Sequence, residues 1–123
     1  MTTNTHTLTY SVTPNLTAEA MGSGDMPVLA TPAMVAMMEN AAMRLAATSL
    51  PEGDTTVGSQ IETTHLRPSA VGATIEVTAT LTAQEGRKLT FSIEARDGDN
   101  VIGQASHVRF VVTRERFLSK LGK

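Results

Sequence analysis

Cysteine and tryptophan are both absent from the 123 residues. Without cysteine there are no disulfides, no thiolate nucleophile and no thiolate metal site. One Tyr and three Phe supply only a modest core for a single domain covering 1–123. A core that small is expected to be completed by pairing of two copies into a homodimer. No apolar run approaches the roughly 18 residues that span a bilayer, since the richest stretch, Met34 to Met43, is interrupted by Glu39 and Asn40. No membrane partner is expected. The Thr-rich start has neither a charged n-region nor an apolar h-region, which suits a cytoplasmic protein. A net charge of -2 and the lack of any Lys/Arg run provide no field for tracking phosphates, so no nucleic-acid partner is expected.

The inventory of ligating groups is equally thin. Three histidines, His6, His65 and His107, show no metal-binding spacing such as H-E-x-x-H, so no metal site is expected. Gly98 and Gly103 sit in a turn and a strand rather than in a Gly-rich strand-to-helix loop, so no nucleotide cofactor is expected. The seven methionines suit pliable core or interface packing.

What is present is a clear order of elements. His6, Leu8, Tyr10 and Val12 alternate as a first strand that Pro14 ends. A loop through Gly22-Ser23-Gly24-Asp25 leads to Thr31-Pro32, which reads as an N-cap followed by proline at the first helical position. The helix should run to about Thr48, before Leu50-Pro51-Glu52-Gly53. Four strand-like runs follow, Thr56 to Leu66, Ala73 to Ala83, Arg87 to Arg96 and Val101 to Val112, and Thr113 is placed to cap a short terminal helix. Ile75, Val77, Ala79 and Leu81 share one face, as do Leu89, Phe91, Ile93 and Ala95. The fold class is α+β: one long central helix wrapped by a five-stranded antiparallel sheet.

Glu39 stands out against this pattern. It is the only acidic residue in the apolar helix Thr31 to Ala47, aligned with Val35, Ala42, Met43 and Ala46, while Asn40 and Arg44 form a separate polar stripe. A carboxylate there must be paired, protonated or at work. Taken singly, Thr31 also fits helix punctuation and His65 an ordinary strand histidine.

Together these residues resemble a family. The stretches Val28 to Glu39, Val57-Gly58 through Thr64-His65, Glu85 to Leu89, and Ile102-Gly103 through His107-Val108-Arg109 are similar in order and spacing to hotdog-fold thioesterases, and more narrowly to the fluoroacetyl-CoA thioesterase family. The resemblance implies a hotdog fold and hydrolysis of a short acyl-CoA thioester, with coenzyme A entering as part of the substrate and not as a cofactor. It implies catalytic roles for Thr31, Glu39 and His65, and acyl-pocket roles for Gly58 and Arg109; His107 matches no catalytic position. Two departures from the family pattern stand out. The aromatic-rich lid is replaced by Ala18 to Gly24, and Pro32 stands where the family has glycine, so that position has no N–H for a developing oxyanion. A non-catalytic binder of acyl-CoA or another small ligand is the alternative reading, since it would keep the pocket and tolerate this proline. Thr31 and Glu39 are eight positions apart, about 12 Å along a helix, which is too far for a hydrogen bond within one subunit. Either the Thr31 end turns back out of the helix, or the site is assembled from two chains joined along the strand that carries His65; the second is the expectation.

Overall fold

The computed structural model describes residues 4–122. Five strands, β1 (Thr5–Ser11), β2 (Asp54–His65), β3 (Thr74–Glu85), β4 (Lys88–Asp97) and β5 (Asn100–Thr113), form one antiparallel sheet in the order β1-β3-β4-β5-β2. The long helix α2 (Thr31–Ala47) lies across one face. Two short helices, α1 (Ala18–Met21) and α3 (Arg114–Ser119), complete the chain.

The helix buries Ala33, Met34, Met37, Met38, Ala41, Ala42, Leu45 and Ala46, which recur at i, i+1 and i+4 as a face of 3.6-residue period requires. Against it stand Ile75, Val77 and Ala79 of β3 and Leu89, Phe91, Ile93 and Ala95 of β4, all buried. Their period-two spacing selects this face. Alanines on the helix bring its backbone close to the sheet, and beneath Met34 the strand residue is Gly103.

Three local expectations are corrected. The N-cap is Ala30 rather than Thr31, so Thr31 and Pro32 are the first two helical residues and the threonine side chain makes no capping bond. The segment before it is not wholly loop, because Thr17 accepts from the Ala20 amide and nucleates α1, which Gly22 ends with φ of 77°. Thr113 precedes α3 but makes no side-chain cap.

Strand β2 occupies the sheet edge beside β5, with its outer side unpaired within the chain. It also carries the irregularity that matters most. The register with β5 shifts between Gly58 and Gln60, which leaves Ser59 as the extra residue of a bulge. Gly58 pairs with Arg109, Ile61 with His107 and His65 with Gly103. Seven positions separate Gly58 from His65, so simple alternation would put them on opposite faces. The bulge returns both to the helix side.

Candidate active site

Two groups of polar side chains line the helix side of the β2 edge. At the start of α2 the Thr31 hydroxyl lies 2.7 Å from His65 Nδ1. Because Thr31 is not the cap, its hydroxyl is available for this contact. Burial lowers the His65 pKa below its usual 6.5, with the Arg67 main chain opposing. The ring is therefore neutral near pH 7 and able to take a proton. Its Nε2 is buried without a hydrogen-bond partner in the described residues. The Met34 amide donates to Ala30 O, the first intrahelical bond, which leaves the Thr31 and Ala33 amides without an acceptor among the described residues, at the positive end of the helix. Pro32 lies between them and donates nothing. A cleft of about 260 Å³ opens here, lined by Val28, Thr31, His65, Leu66, Arg67 and Pro68.

Two helical turns on, Glu39 belongs to a second group. A Cβ placed on Gly58 would stand 3.0 Å from Glu39 Oε2, 3.2 Å from His107 Cε1 and 3.3 Å from Arg109 Nη1, so all three side chains converge on the bare glycine. Arg109 is 7% exposed, and it donates from Nε to the Thr56 hydroxyl at 2.8 Å and from Nη2 to the Thr56 carbonyl at 3.0 Å. Burial lowers its pKa while the Glu39 charge raises it. Glu39 itself makes no ion pair and no side-chain hydrogen bond among the described residues. A cleft of about 300 Å³ is lined by Ala36, Glu39, Asn40, Met43, Gly58 and Arg109. Tyr10 donates to Asn40 Oδ1 at 2.7 Å and so ties β1 to the rim of that cleft.

The residues singled out in the sequence thus fall into two sets. Thr31 with His65 is one, and Glu39 with Gly58 and Arg109 is the other. The helix runs unbroken from Thr31 to Ala47, so Thr31 does not turn back towards Glu39. No side-chain hydrogen bond among the described residues joins the two sets within the chain.

His107 matches no catalytic position in the family pattern, yet the structure places it at the site. It is 1% exposed and in the midst of the second set. The available signal was its period-two relation to Arg109, which puts both on the inward face of β5. Elsewhere among the described residues, no group of three or more His, Cys, Asp or Glu side chains is placed to hold a metal, and no helix is long and apolar enough to cross a membrane.

Comparison with known proteins decides the family. The family model described as fluoroacetyl-CoA-specific thioesterase matches residues 12–115. The chain belongs to this family. It is 39% identical over 94 residues to the fluoroacetyl-CoA thioesterase of Streptantibioticus cattleyicolor, covering 76% of this chain and 68% of that protein. A solved threonine-to-alanine variant of fluoroacetyl-CoA thioesterase, in complex with fluoroacetate, is 32% identical with a TM-score of 0.90, covering 98% of this chain and 96% of the other. A thioesterase superfamily member from Thermus thermophilus is 26% identical with a TM-score of 0.87, covering 95% and 87%. The hotdog fold and the enzyme class read from the sequence, a thioester hydrolase, are borne out.

Proposed function

We propose that the protein is an acyl-CoA thioesterase that hydrolyses the thioester of a short acyl group at a composite site on a homodimer, with each chain a single domain working in the cytoplasm. The observation that carries this reading is the Thr31 to His65 hydrogen bond at the open helix start. It supplies a polarised hydroxyl and a neutral base beside unsatisfied amides, while the carboxylate needed with them is held elsewhere on the same chain.

A two-fold axis resolves that separation. The unpaired edge of β2 is long enough to pair antiparallel with its own copy, and such an isologous contact would also remove an exposed sheet edge. If His65 of one chain faces Gly58 of the other, with Ser59 as the extra residue of the bulge, the axis passes at Glu62. The Thr31 and His65 set of each chain then meets the Glu39, Gly58 and Arg109 set of its partner, giving two equivalent pockets.

The chemistry follows from those groups. The unpaired Glu39 carboxylate either attacks the thioester carbonyl or takes the proton of the water that does. His65 orients Thr31 and shuttles a proton, and the helix-start amides and Arg109 favour the negative charge that develops on oxygen. The C–S bond breaks, the thiol leaves with a proton, and the oxygen from water ends in the acid. Gly58 bounds a small pocket with Arg109, which fits a short acyl group. The relatives' names specify fluoroacetyl-CoA, but Ala18 to Gly24 offers no aromatic lid to shape the pocket around a fluorinated group.

The test uses purified protein with a panel of short acyl-CoA thioesters, reading both thiol release and binding. Binding without release would overturn hydrolysis in favour of a binder. Mixing subunits carrying Thr31→Ala with subunits carrying Glu39→Gln, each impaired alone, should raise activity above that of either variant through one intact pocket per mixed dimer. No recovery after verified subunit exchange would refute the composite site.

A further inference from the structure

His107 is buried, polar on both sides of its ring, and unused by the chemistry above. A carbonyl only accepts and a guanidinium only donates, so the partners fix the tautomer. Nδ1–H donates to Gln60 O at 2.7 Å, and the Nε2 lone pair accepts from Arg109 Nη1 at 3.2 Å. The ring also packs against Phe91, with centroids 6.2 Å apart. Burial lowers its pKa most, Arg109 lowers it further, and the Gln60 carbonyl and Glu39 oppose. Protonation would set an Nε2–H against the Arg109 donors, so the neutral form is the one the site accommodates.

The bulge gives this contact its origin. Gln60 is the first residue after the shift in β2, and its carbonyl holds the ring opposite Ile61. The ring in turn holds Nη1, while Thr56 holds Nε and Nη2. Three neutral acceptors thus fix a buried cation whose nearest converging carboxylate is Glu39, without an ion pair forming.

We propose that His107 is a positioning residue: through its Nε2 lone pair it keeps the Arg109 guanidinium anchored on the sheet with Thr56, so that Arg109 flanks the Gly58 pocket without clamping the Glu39 carboxylate. This rests on the reading of Glu39 as the reacting carboxylate. Release of the guanidinium would let it swing into a charge-assisted pair with Glu39 and occupy the group needed for the thioester.

Two substitutions separate the two ring nitrogens. His107→Asn keeps a donor near the Nδ1 position and loses the acceptor for Arg109, whereas His107→Gln keeps an acceptor near Nε2. With the intact dimer and a hydrolysed acyl-CoA, His107→Asn should lower kcat about 10- to 100-fold with KM within about threefold. His107→Gln should stay within a few-fold of the parent, and Thr56→Val, which removes another Arg109 anchor, should lose several-fold in kcat. In a Glu39→Gln background the His107→Asn loss should shrink to about twofold or less, because the two residues act through one group. Parent-like kcat in folded His107→Asn, with Glu39→Gln strongly impaired, would overturn the role of His107 alone; parent-like kcat in Glu39→Gln would overturn both readings. Equal losses in the Asn and Gln variants would also refute the lone-pair role. If His107→Asn fails to fold, Thr56→Val decides, and an unchanged kcat there refutes the proposal.

Discussion

The two ends of the helix-facing groove use the same materials in opposite ways. At the Thr31 end, an exposed threonine meets a half-buried histidine across a single hydrogen bond, with Gly103 opposite His65 making room for Met34. At the Glu39 end, a carboxylate without a partner among the described residues stands beside a buried arginine and a buried histidine, with Gly58 opposite Arg109 making room for the pocket. One glycine serves packing and the other serves the cleft. The first end is assembled by local helix chemistry, while the second depends on a lattice of contacts between β2 and β5. Changes at the first should therefore act on few groups, and changes at the second should spread.

The largest expected effect tests whether the carboxylate end carries the reaction. Glu39→Gln should lose roughly 10²- to 10⁴-fold in kcat, the range that a positioned acid–base group contributes. Its melting temperature should barely change, because the carboxylate makes no ion pair among the described residues. His65→Ala should lose about 10²-fold, and Thr31→Ala less, since removing the hydroxyl leaves the His65 base and the Glu39 carboxylate in place. Thiol-release kinetics on all three variants check this order. A fully active Glu39→Gln protein would reverse the ranking of the two ends.

Much of this comparison could be read in the chain itself, and the remainder has definite physical causes. Period-two burial made β3 and β4 legible, and the alanine and methionine spacing made α2 legible, because each buries one face only. Glu39 was visible as a carboxylate out of place. The cap was misplaced because Thr-Pro suits both the cap and the first helical turn, and only the bond to His65 distinguishes them. The bulge at Ser59 could not be seen, since one extra residue in an edge strand leaves composition unchanged while moving every later side chain to the other face. His107 was hidden for the same reason. Its ring is held by the main-chain carbonyl of Gln60, which the shifted register pairs with Val108, so no side-chain pattern marks the contact.

A smaller effect distinguishes the two glycines. At Gly103 a Cβ would approach the Thr64 carbonyl oxygen to 2.9 Å and Met34 Sδ to 2.6 Å, so backbone as well as side chain must yield. Gly103→Ala should cost about 1 to 3 kcal/mol of stability, as overpacking does. At Gly58 the crowded atoms are all side-chain atoms of Glu39, His107 and Arg109, which can shift while the strands stay paired. Gly58→Ala should keep most of its stability and lose about 10- to 100-fold in turnover through displacement of reacting groups. Denaturant melts and kinetics run on the same preparations test the pair. If Gly58→Ala loses stability but not turnover, that end is structural.

The smallest effect is acid sensitivity, and it too should lie at the Glu39 end. Both His65 and His107 have pKa values below 6.5 in the folded chain, chiefly through burial, while in the unfolded chain each titrates near 6.5. Below that value the unfolded state binds more protons than the folded one, so stability rises with pH across the interval and is lost as the pH falls. The melting temperature should be level from about pH 7 to 8 and decline between about 6.5 and 5.5, a window above the bulk of carboxylate titration. His107 is 1% exposed and its Nε2 faces a guanidinium, whereas His65 is only half-buried and its Nδ1 faces the Thr31 hydroxyl, which can accept from the protonated ring by turning its own proton away. Protonating His107 should therefore cost more. Melting curves of His107→Gln should show a flatter acid decline than those of His65→Gln, which keeps the buried histidine. Parallel declines in the two variants would mean that the two ends share the acid sensitivity and that burial of His107 adds nothing to it.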